Sequence, residues 1–284
     1  MNDDPRVLLK KYGLSAKKSW GQNFLVDPKV YEAIVGASVR DPSDYIIEIG
    51  AGLGTLTTRL ADAVPAGRVI AVERERDMIN VLGKELASRK NVEVRADNAM
   101  NLNYGTLQAA AGKNLVVVGN LPYQIASPLI FAIIDARRFI TRAVVMLQKE
   151  MAERLVAAPG TSEYGAMGAM IALYADVKPV IKAKAGAFVP PPRVDSAVVA
   201  LEMRTTLRVE VDEKQYSRVV HAAFGQRRKT LRNALRALWE PTAVDAALAA
   251  TTIEGGRRGE TLSVEEFARL AGALPEAAGH ARAP

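Results

Sequence analysis

The sequence contains no cysteine and only two histidines, His221 and His280. The lack of cysteine excludes a disulfide framework and thiolate zinc sites, and so few histidines leave little material for a histidine metal site. We therefore expect no bound metal. No apolar run approaches the ~18 uninterrupted residues of a membrane-spanning helix, and no apolar signal region stands near the N-terminus. These absences predict a soluble protein that acts in the reducing cytoplasm, away from membranes.

What remains is the composition of a folded protein with a basic surface. Apolar residues make up 49% of the 284 residues, which is enough for a sizeable core. At roughly 100–200 residues per domain, the length allows one large domain and one small one. The net charge of +7 favours a polyanionic partner without identifying it, since many basic proteins never bind nucleic acid.

Apolar strands alternate with amphipathic helices from residue 45 to residue 203. The predicted strands are 45–49, 68–73, 91–95, 115–118, 142–148, 177–183 and 196–203. This alternation predicts an α/β fold with a mostly parallel sheet that binds its ligand at the carboxyl ends of the strands. From about residue 206 the pattern is helical only. We therefore place an α/β domain at 1–205 and a small all-α domain at 206–284.

A glycine-rich turn follows the first of these strands. Gly50, Gly52 and Gly54 let the backbone approach a ligand closely, and the next helix offers free N–H groups. The G-x-G-x-G spacing lacks the last glycine of the dinucleotide fingerprint, and no Walker A lysine is present. Both departures favour a nucleotide-like cofactor without phosphates.

Acidic and amide side chains stand where the next two strands end. Glu73 lies about 20 residues beyond the glycine turn, where a carboxylate typically binds a ribose diol. Because Glu75 and Asp77 are close by, a helix N-cap or a solvated charge is the alternative. Asp97 and Asn98 follow the third strand, where a side chain can contact an adenine amino group. Several candidate ligand-binding residues thus fall at the carboxyl ends of strands. This agreement is a stronger indication of a binding site than any single motif.

The stretch Asn120-Leu121-Pro122-Tyr123 leaves the fourth strand. An amide oxygen can accept a hydrogen bond from an exocyclic amine, a proline holds the turn in shape, and a tyrosine can stack on a flat base. Phe188 stands at the entrance of a stiff loop with three prolines and predicts a second stacking wall. The alternatives are an ordinary strand-end turn and a rigid linker with a packed phenylalanine.

Positive charge is concentrated in two segments. Lys17 and Lys18 belong to a basic N-terminal segment that is either a solvated tail or an arm that lies on phosphates. Between Arg218 and Glu240 there are six Lys or Arg and one acidic residue. This second segment is predicted to be a basic helix, for which a solvated face is the common alternative. Its candidate phosphate contacts are Arg227, Arg228, Lys229 and Arg232.

These motifs resemble those of the KsgA-type small-subunit ribosomal RNA adenine dimethyltransferases. The resemblance extends from about Ser19 to Leu270, nearly the whole chain. Asn-Leu-Pro-Tyr alone is typical of amino methyltransferases, and the first and last motifs narrow the group to the rRNA dimethylases. The matching motifs are Gln22-Asn23-Phe24-Leu25, Glu48-Ile49-Gly50-Ala51-Gly52, Asn120 to Tyr123, the loop from Phe188 to Ser196, and Phe224 to Leu231.

The resemblance implies a Rossmann-like S-adenosylmethionine-dependent methyltransferase domain, with S-adenosylhomocysteine as product. It implies that two neighbouring adenosines near the 3′ end of the small-subunit RNA are each dimethylated at N6. The partner would be a pre-30S particle, and we expect a monomer. The implied catalytic residues are Asn120, Leu121, Pro122, Tyr123 and Phe188. The implied cofactor residues are Gln22, Asn23, Leu25, Gly50, Gly52, Glu73, Asn120 and either Asp97 or Asn98. The choice is open because Asn98 stands where the family has an acidic residue.

Other interpretations stay open at this point. One is the related methylase that modifies large-subunit RNA and confers macrolide resistance, although the stretch from Phe224 to Leu231 favours the small-subunit group. Another is a ribosome-assembly factor that binds RNA without catalysis. An NAD-dependent dehydrogenase is disfavoured by the glycine spacing and by the lack of a hydride-site histidine or tyrosine–lysine pair.

Overall fold

The computed structural model describes residues 4–16, 22–226 and 228–276. The chain forms two compact units, one of Met1–Ala152 with Asp176–Met203 and one of Glu153–Ala175 with Arg204–Pro284. The division expected at residue 205 stays a prediction. It differs from these units in one segment, residues 153–175, which belongs with the C-terminal helices rather than with the sheet.

The first unit is built on a mixed sheet, and the expected α/β class is confirmed. The seven strands of this sheet that the structure describes run in the order β4-β3-β2-β5-β6-β9-β7. The pairs from β4 to β6 are parallel, and β9 is antiparallel to β6. In chain order the strands are β1 (Phe24–Leu25), β2 (Tyr45–Ile49), β3 (Arg68–Glu73), β4 (Val92–Ala96), β5 (Leu115–Asn120), β6 (Ile140–Gln148), β7 (Ala175–Ala183), β8 (Phe188–Val189) and β9 (Ser196–Met203).

The central strands are buried along most of their length. β5 is buried from Leu115 to Gly119, and β2 is buried from Ile46 to Ile49. Strands that helices cover on both faces are expected to be continuously apolar, and this is why these apolar runs marked the sheet so clearly in the sequence. Each apolar run stops where the strand reaches solvent. The polar residue that follows therefore lies at the carboxyl end of the strand.

A second, two-stranded sheet joins distant parts of the chain. β1 pairs antiparallel with β8, with Phe24 opposite Val189 and Leu25 opposite Phe188. This pairing connects the first motif of the chain to the loop of prolines. No local pattern marks it, because the paired residues stand more than a hundred positions apart in the sequence.

Helices flank the sheet and form the second unit. The α-helices are α1 (Pro5–Tyr12), α2 (Pro28–Ser38), α3 (Thr55–Ala63), α4 (Arg76–Glu85), α5 (Tyr104–Ala111), α6 (Ala126–Asp135), α7 (Lys149–Val156), α8 (Ala166–Ala172), α9 (Glu213–Gly225), α10 (Leu231–Leu235), α11 (Pro241–Thr251) and α12 (Val264–Ala273). Asp27 caps the start of α2, since its side chain accepts the backbone N–H of Lys29 at 2.9 Å. In the part of the chain described here, no helix is long and apolar enough to cross a membrane.

The N-terminal segment, which we expected to be a tail or an arm, contains the helix α1. Leu8 and Leu9 are buried against Leu53 of the glycine turn. Glu85 also anchors the helix, because its Oε1 accepts hydrogen bonds from Lys11 Nζ and from the Tyr12 hydroxyl, each at 2.5 Å. The expectation was wrong for α1, because the apolar pair within the basic run packs on the domain. Lys17 and Lys18 lie outside the described residues.

The expected basic helix is also interrupted. α9 ends at Gly225 and α10 begins at Leu231. In the turn between them, the Lys229 N–H donates a hydrogen bond to the Gln226 carbonyl at 2.9 Å. Thr230 caps α10, since its side chain accepts the N–H of Asn233. Arg228 and Lys229 therefore belong to a turn rather than to a helix. Arg227 is outside the described part of the chain.

The second unit has an aromatic core of its own. The Tyr164 and Phe224 rings meet edge to face with centroids 5.9 Å apart, and the Tyr216 hydroxyl donates to the Ala169 carbonyl at 2.8 Å. Tyr164 precedes α8, a helix that we did not predict from the sequence. It went unpredicted because the partners of this segment lie far along the chain, on α9.

Candidate functional site

Two adjoining cavities lie at the carboxyl ends of β2, β3, β4 and β5. The first, about 160 Å³, is lined by residues from the first motif through to Tyr123. The second, about 400 Å³, extends past the ends of β3 and β4. Gly50, Glu73 and Pro122 line both cavities, so the two are parts of one continuous site. This is the edge of the sheet at which the strand-end residues predicted a ligand.

Most of the predicted residues meet here. The first cavity includes Gln22, Asn23, Leu25, Gly50, Gly52, Glu73, Asn120, Leu121, Pro122 and Tyr123. The second includes Asp97 and Asn98. The structure thus brings together side chains from four strand ends and from the N-terminal motif. Phe188 does not line either cavity.

The glycine turn brings the end of β2 against the end of β5. Gly50 and Gly52 have φ values of 72° and 55°, which side chains other than glycine rarely adopt. A Cβ at Gly50 would lie 3.7 Å from the Asn120 carbonyl oxygen, so these two strand ends are neighbours. A Cβ at Gly52 would contact the Phe24 ring at 3.4 Å. The turn therefore leaves open the space in which a ligand could approach the backbone.

Glu73 is held rigidly at the rim that the cavities share. Its Oε2 accepts the Gly52 N–H at 2.9 Å, and its Oε1 accepts the N–H groups of Arg74 and Glu75 at 2.7 and 2.9 Å. Three backbone amides orient this carboxylate, which still has lone pairs free for further donors. A fixed carboxylate in this place suits a pair of ligand hydroxyl groups.

Asp97 and Asn98 differ in what they have left to offer a ligand. The Asn98 Oδ1 accepts the Met100 N–H at 3.1 Å and caps the short turn that follows. The Asp97 Oδ1 accepts the Asn98 N–H at 2.7 Å, and its second oxygen accepts no hydrogen bond from the described residues. Asp97 therefore has a whole carboxylate oxygen unused among the described residues, whereas the single Asn98 oxygen is already engaged by one donor.

Two oxygen acceptors at the end of β5 belong to adjacent residues, Asn120 and Leu121. The Asn120 Nδ2 donates to the Asn23 carbonyl at 3.2 Å, which orients the side chain and leaves its Oδ1 free. Among the described residues, neither Asn120 Oδ1 nor the Leu121 carbonyl accepts a hydrogen bond. Both residues line the first cavity. An amino group that entered the cavity would find two oxygen acceptors there.

Tyr123 is the aromatic residue next to these acceptors. Its hydroxyl lies 2.7 Å from the Oγ of Ser196, the first residue of β9. Burial raises the pKa of Tyr123, and the hydrogen bond with Ser196 only partly opposes the rise. The phenol therefore stays protonated at neutral pH, so the ring presents a neutral face to the cavity.

Phe188 lies elsewhere than expected. Its side chain is 2% exposed and packs in the core with Leu25, Ile34 and Val198. The pairing of β1 with β8 holds Phe188 opposite Leu25, and the ring points into the core rather than toward a cavity. The prediction that Phe188 forms a second stacking wall of the site is wrong, because its ring packs in the core.

Glu48 is a residue of the first cavity that we did not predict as a site residue. It is 2% exposed, and its Oε2 accepts no hydrogen bond from the described residues. Burial raises the pKa of this carboxyl to about 8; the nearby Thr57 hydroxyl opposes the rise, and the Glu73 carboxylate adds to it. A charged residue in the apolar strand β2 was a signal in the sequence that could have identified it.

The candidate RNA contacts on the second unit differ in their pairing. Arg228 and Lys229 are exposed and form no ion pair with any residue that the structure describes. Arg232 is different, because its Nε lies 3.2 Å from Asp245 Oδ1. Part of its charge is therefore already offset within the protein.

The site and the motifs around it match a known family. The family model described as ribosomal RNA adenine dimethylase matches residues 13–275. The chain belongs to this family. The resemblance predicted from the motifs is thereby confirmed, as is the expectation of an enzyme.

Individual relatives agree with this assignment. The ribosomal RNA small subunit methyltransferase A of Anaeromyxobacter sp. (strain K) is 45% identical over 276 residues, covering 94% of this chain and 96% of that protein. A dimethyladenosine transferase from Plasmodium falciparum matches with a TM-score of 0.74 at 26% identity, covering 87% of this chain and 95% of that chain. The 23S rRNA methyltransferase ErmE matches with a TM-score of 0.70 at 25% identity, covering 89% and 99%.

Proposed function

We propose that this protein transfers methyl groups from S-adenosylmethionine to N6 of two adjacent adenosines in the 3′-terminal hairpin of small-subunit (16S) rRNA. The products are N6,N6-dimethyladenosines and S-adenosylhomocysteine, and the modification contributes to small-subunit biogenesis. The observation that carries the proposal is the pair of free acceptors, Asn120 Oδ1 and the Leu121 carbonyl, beside the Tyr123 ring. Family membership supports the same reaction.

The residues present fit S-adenosylmethionine. The fixed carboxylate of Glu73 suits a ribose diol, and the free oxygen of Asp97 suits an adenine amino group. The buried carboxyl of Glu48 suits a cationic group, because an opposite charge would relieve the cost of ionising it. When bound, the cofactor supplies an electrophilic methyl group on a positively charged sulfur. Gln22, Asn23, Leu25, Gly50 and Gly52 would enclose it.

The chemical task of the protein is to make the acceptor nitrogen nucleophilic. The lone pair of an adenine N6 is delocalised into the ring, so the planar amine attacks poorly. Asn120 Oδ1 and the Leu121 carbonyl accept the two N6 hydrogens and draw the nitrogen toward tetrahedral geometry. This localises the lone pair and holds it in position for attack, and no strong base is needed beforehand because N6 would release its surplus proton to solvent after the methyl group has been transferred. For the second transfer only one hydrogen remains to be held.

The Tyr123 ring would hold the base itself. Adenine must leave its stack to enter the cavity, and stacking on an aromatic side chain contributes about 1–3 kcal/mol per base. Pro122 fixes the turn between the acceptors and the ring. Positioning, rather than proton transfer, is thus the main contribution of these four residues.

The experiment that tests the function is methylation of unmodified small-subunit particles with labelled donor, followed by mapping of the modified nucleotides. Two adjacent dimethylated adenosines near the 3′ end are expected. Methylation of large-subunit particles instead would favour the alternative of a large-subunit methylase. The similarity to the 23S rRNA methyltransferase ErmE is the reason for testing this alternative. Cofactor binding without methyl transfer to either particle would favour a non-catalytic assembly factor.

The choice between Asp97 and Asn98 can be tested directly. Asp97→Ala is expected to weaken cofactor binding roughly tenfold or more, as for loss of a hydrogen bond to a charged group. Asn98→Ala should have a smaller effect, because the Asn98 oxygen is already engaged in capping. Calorimetric titration with S-adenosylhomocysteine measures both. A larger loss for Asn98→Ala than for Asp97→Ala would reverse the assignment.

RNA binding by the second unit is proposed to depend on Arg228 and Lys229. The double variant Arg228→Glu/Lys229→Glu is expected to weaken particle binding and to reduce the slope of log affinity against log salt by about 1–2. Arg232→Glu should change the slope less, because Asp245 already offsets the charge. Filter binding at several salt concentrations measures each slope.

The matched control for this test is Lys90→Glu. Lys90 is an exposed cation just before β4, at the edge of the sheet opposite the cavities. Its reversal is expected to leave affinity and salt slope near those of the wild type. Equal slopes for all variants would mean that the turn between α9 and α10 is merely a solvated surface.

The remaining proposals concern the cellular setting. We propose that the substrate is the pre-30S particle, that the protein acts as a monomer in the cytoplasm, and that Lys17, Lys18 and Arg227 add phosphate contacts. Basic residues on both units are consistent with a large folded RNA as partner.

A further inference from the structure

A buried serine connects the proline loop to the aromatic residue of the site. Ser196 is 0% exposed, and its Oγ lies 2.7 Å from the Tyr123 hydroxyl oxygen. We propose that Ser196 is a positioning residue for methyl transfer, whose hydroxyl fixes the orientation of the Tyr123 ring. This inference rests on the proposed function, in which that ring stacks on the acceptor adenine.

The Tyr123 ring needs such a restraint. Tyr123 begins a short 3₁₀ turn, Tyr123–Ile125, at the rim of the first cavity and is only half buried. A ring attached only at its Cβ can rotate about two side-chain bonds. A hydrogen bond at the far end of the ring removes this freedom before a base arrives, and the base then does not have to order the ring itself.

Ser196 is a rigid support for this bond. Its backbone lies opposite Gln148 at the end of the β6–β9 pair. The preceding residue, Asp195, is fixed twice, because its carbonyl accepts the Lys149 N–H at 2.9 Å and its Oδ1 accepts the Ala185 N–H at 2.9 Å. The serine thus stands on a strand end that two further hydrogen bonds hold, as precise positioning of a site residue requires.

The alternative is a purely structural role. A hydrogen bond between two partly or fully buried hydroxyl groups stabilises the fold, because neither group is then left without a partner. The two roles differ in what they predict. If Ser196 serves only folding, its loss would lower stability irrespective of Tyr123. If it orients the ring, its loss would lower the rate of transfer only while the Tyr123 hydroxyl is present.

The test compares Ser196→Thr with Ser196→Val, which have nearly equal volume and differ in the hydroxyl. Steady-state methylation of unmodified small-subunit particles gives kcat and KM, and thermal unfolding gives stability. The valine variant is expected to lose roughly 10-fold to 100-fold in kcat relative to the threonine variant. KM for particles should be similar in both, because phosphate contacts dominate the affinity for a large RNA, and affinity for S-adenosylhomocysteine should be similar because the ring stacks on the acceptor base rather than on the cofactor.

The same pair is then compared in the Tyr123→Phe background. With the phenol hydroxyl gone, the difference in kcat between the two variants should disappear, since coupling requires both partners. Equal kcat of the two variants in the Tyr123 background would overturn the inference. So would a difference in kcat that persists unchanged in the Tyr123→Phe background.

One further variant separates this inference from the proposed function. Tyr123→Ala removes the stacking face and is expected to reduce methylation strongly while S-adenosylhomocysteine still binds. Full activity of Tyr123→Ala would refute the stacking role itself. An inactive Tyr123→Ala together with equal threonine and valine variants would leave the stacking role intact and refute only the role of Ser196.

Discussion

Replacing Asn120 with alanine is expected to lower the rate of methyl transfer by about 10²–10³-fold, the range seen when a preorganised hydrogen-bonding group is removed from a transition state. The Asn120 Oδ1 is one of two acceptors at the end of β5 that no described residue engages, and the Leu121 carbonyl cannot by itself hold both N6 hydrogens of the first substrate. Single-turnover methylation of unmodified particles with bound cofactor measures the chemical step.

The same substitution also removes the hydrogen bond from Asn120 Nδ2 to the Asn23 carbonyl, so cofactor binding must be measured separately. We expect affinity for S-adenosylhomocysteine to change much less than the rate, and affinity for the particle to change little. Asn114→Ala is the matched control, because it removes an exposed asparagine just before the other end of β5. Retention of near-wild-type turnover by Asn120→Ala would refute the proposed mechanism.

Replacing Glu48 with glutamine is expected to make cofactor affinity nearly independent of pH around pH 8, where the wild-type carboxyl ionises. Below that pH the buried carboxyl is neutral, and a cation bound in the first cavity would favour its ionised form. Binding would then release a proton. The affinity of the wild type for S-adenosylmethionine should therefore rise with pH toward 8, by at most about tenfold per pH unit, and then level off.

Two comparisons isolate this effect. S-adenosylhomocysteine lacks the positive charge on sulfur, so its affinity should depend on pH less steeply than that of S-adenosylmethionine. Glu32→Gln is the matched control, because it removes an exposed carboxyl on α2. The same pH dependence of S-adenosylmethionine binding in Glu48→Gln as in the wild type would show that another group is responsible.

Glu48 should also affect the stability of the protein without cofactor. Its pKa is raised from 4.5 in the unfolded chain to about 8 in the folded protein. Between these values the unfolded state has released a proton that the folded state retains, so the free energy of unfolding falls as the pH rises. Glu48→Gln should remove this part of the slope in thermal unfolding from pH 5 to about pH 8. The Glu48 carboxyl thus lowers the stability of the cofactor-free protein as the pH rises, although the same carboxyl is expected to strengthen binding of the cofactor.

Much of the site was predictable because it lies at the ends of buried strands. Continuous apolar runs identified the central strands, and the first polar residue after each run marked the edge of the sheet. Glu73 and Asn120 were found in this way, and the structure places both beside the first cavity. The start of α2 is likewise specified locally, by the cap of Asp27 and by Pro28 in the first turn.

Some errors come from competition between a local pattern and distant partners, and the others come from helix caps that the sequence analysis did not identify. Phe188 was expected to form a second stacking wall of the site, but its pairing with Leu25 across β1 and β8 places it in the core. The basic helix was expected to be continuous, but Gly225 ends one helix and Thr230 caps the next. The sequence could not show whether Asp97 or Asn98 contacts the cofactor, because the cap made by the Asn98 side chain is visible only in the structure.

By itself the sequence determined the family, the α/β class and the identity of the strand-end residues, because local periodicity and short motifs specify these features. Tertiary structure decided how the residues act together. It left Asn120 Oδ1 and the Leu121 carbonyl without donors among the described residues, and it buried Glu48 beside the cavity. It also brought Ser196 to the Tyr123 hydroxyl across more than seventy residues of chain. Such contacts depend on which strands become neighbours in the sheet, and no local pattern encodes that choice.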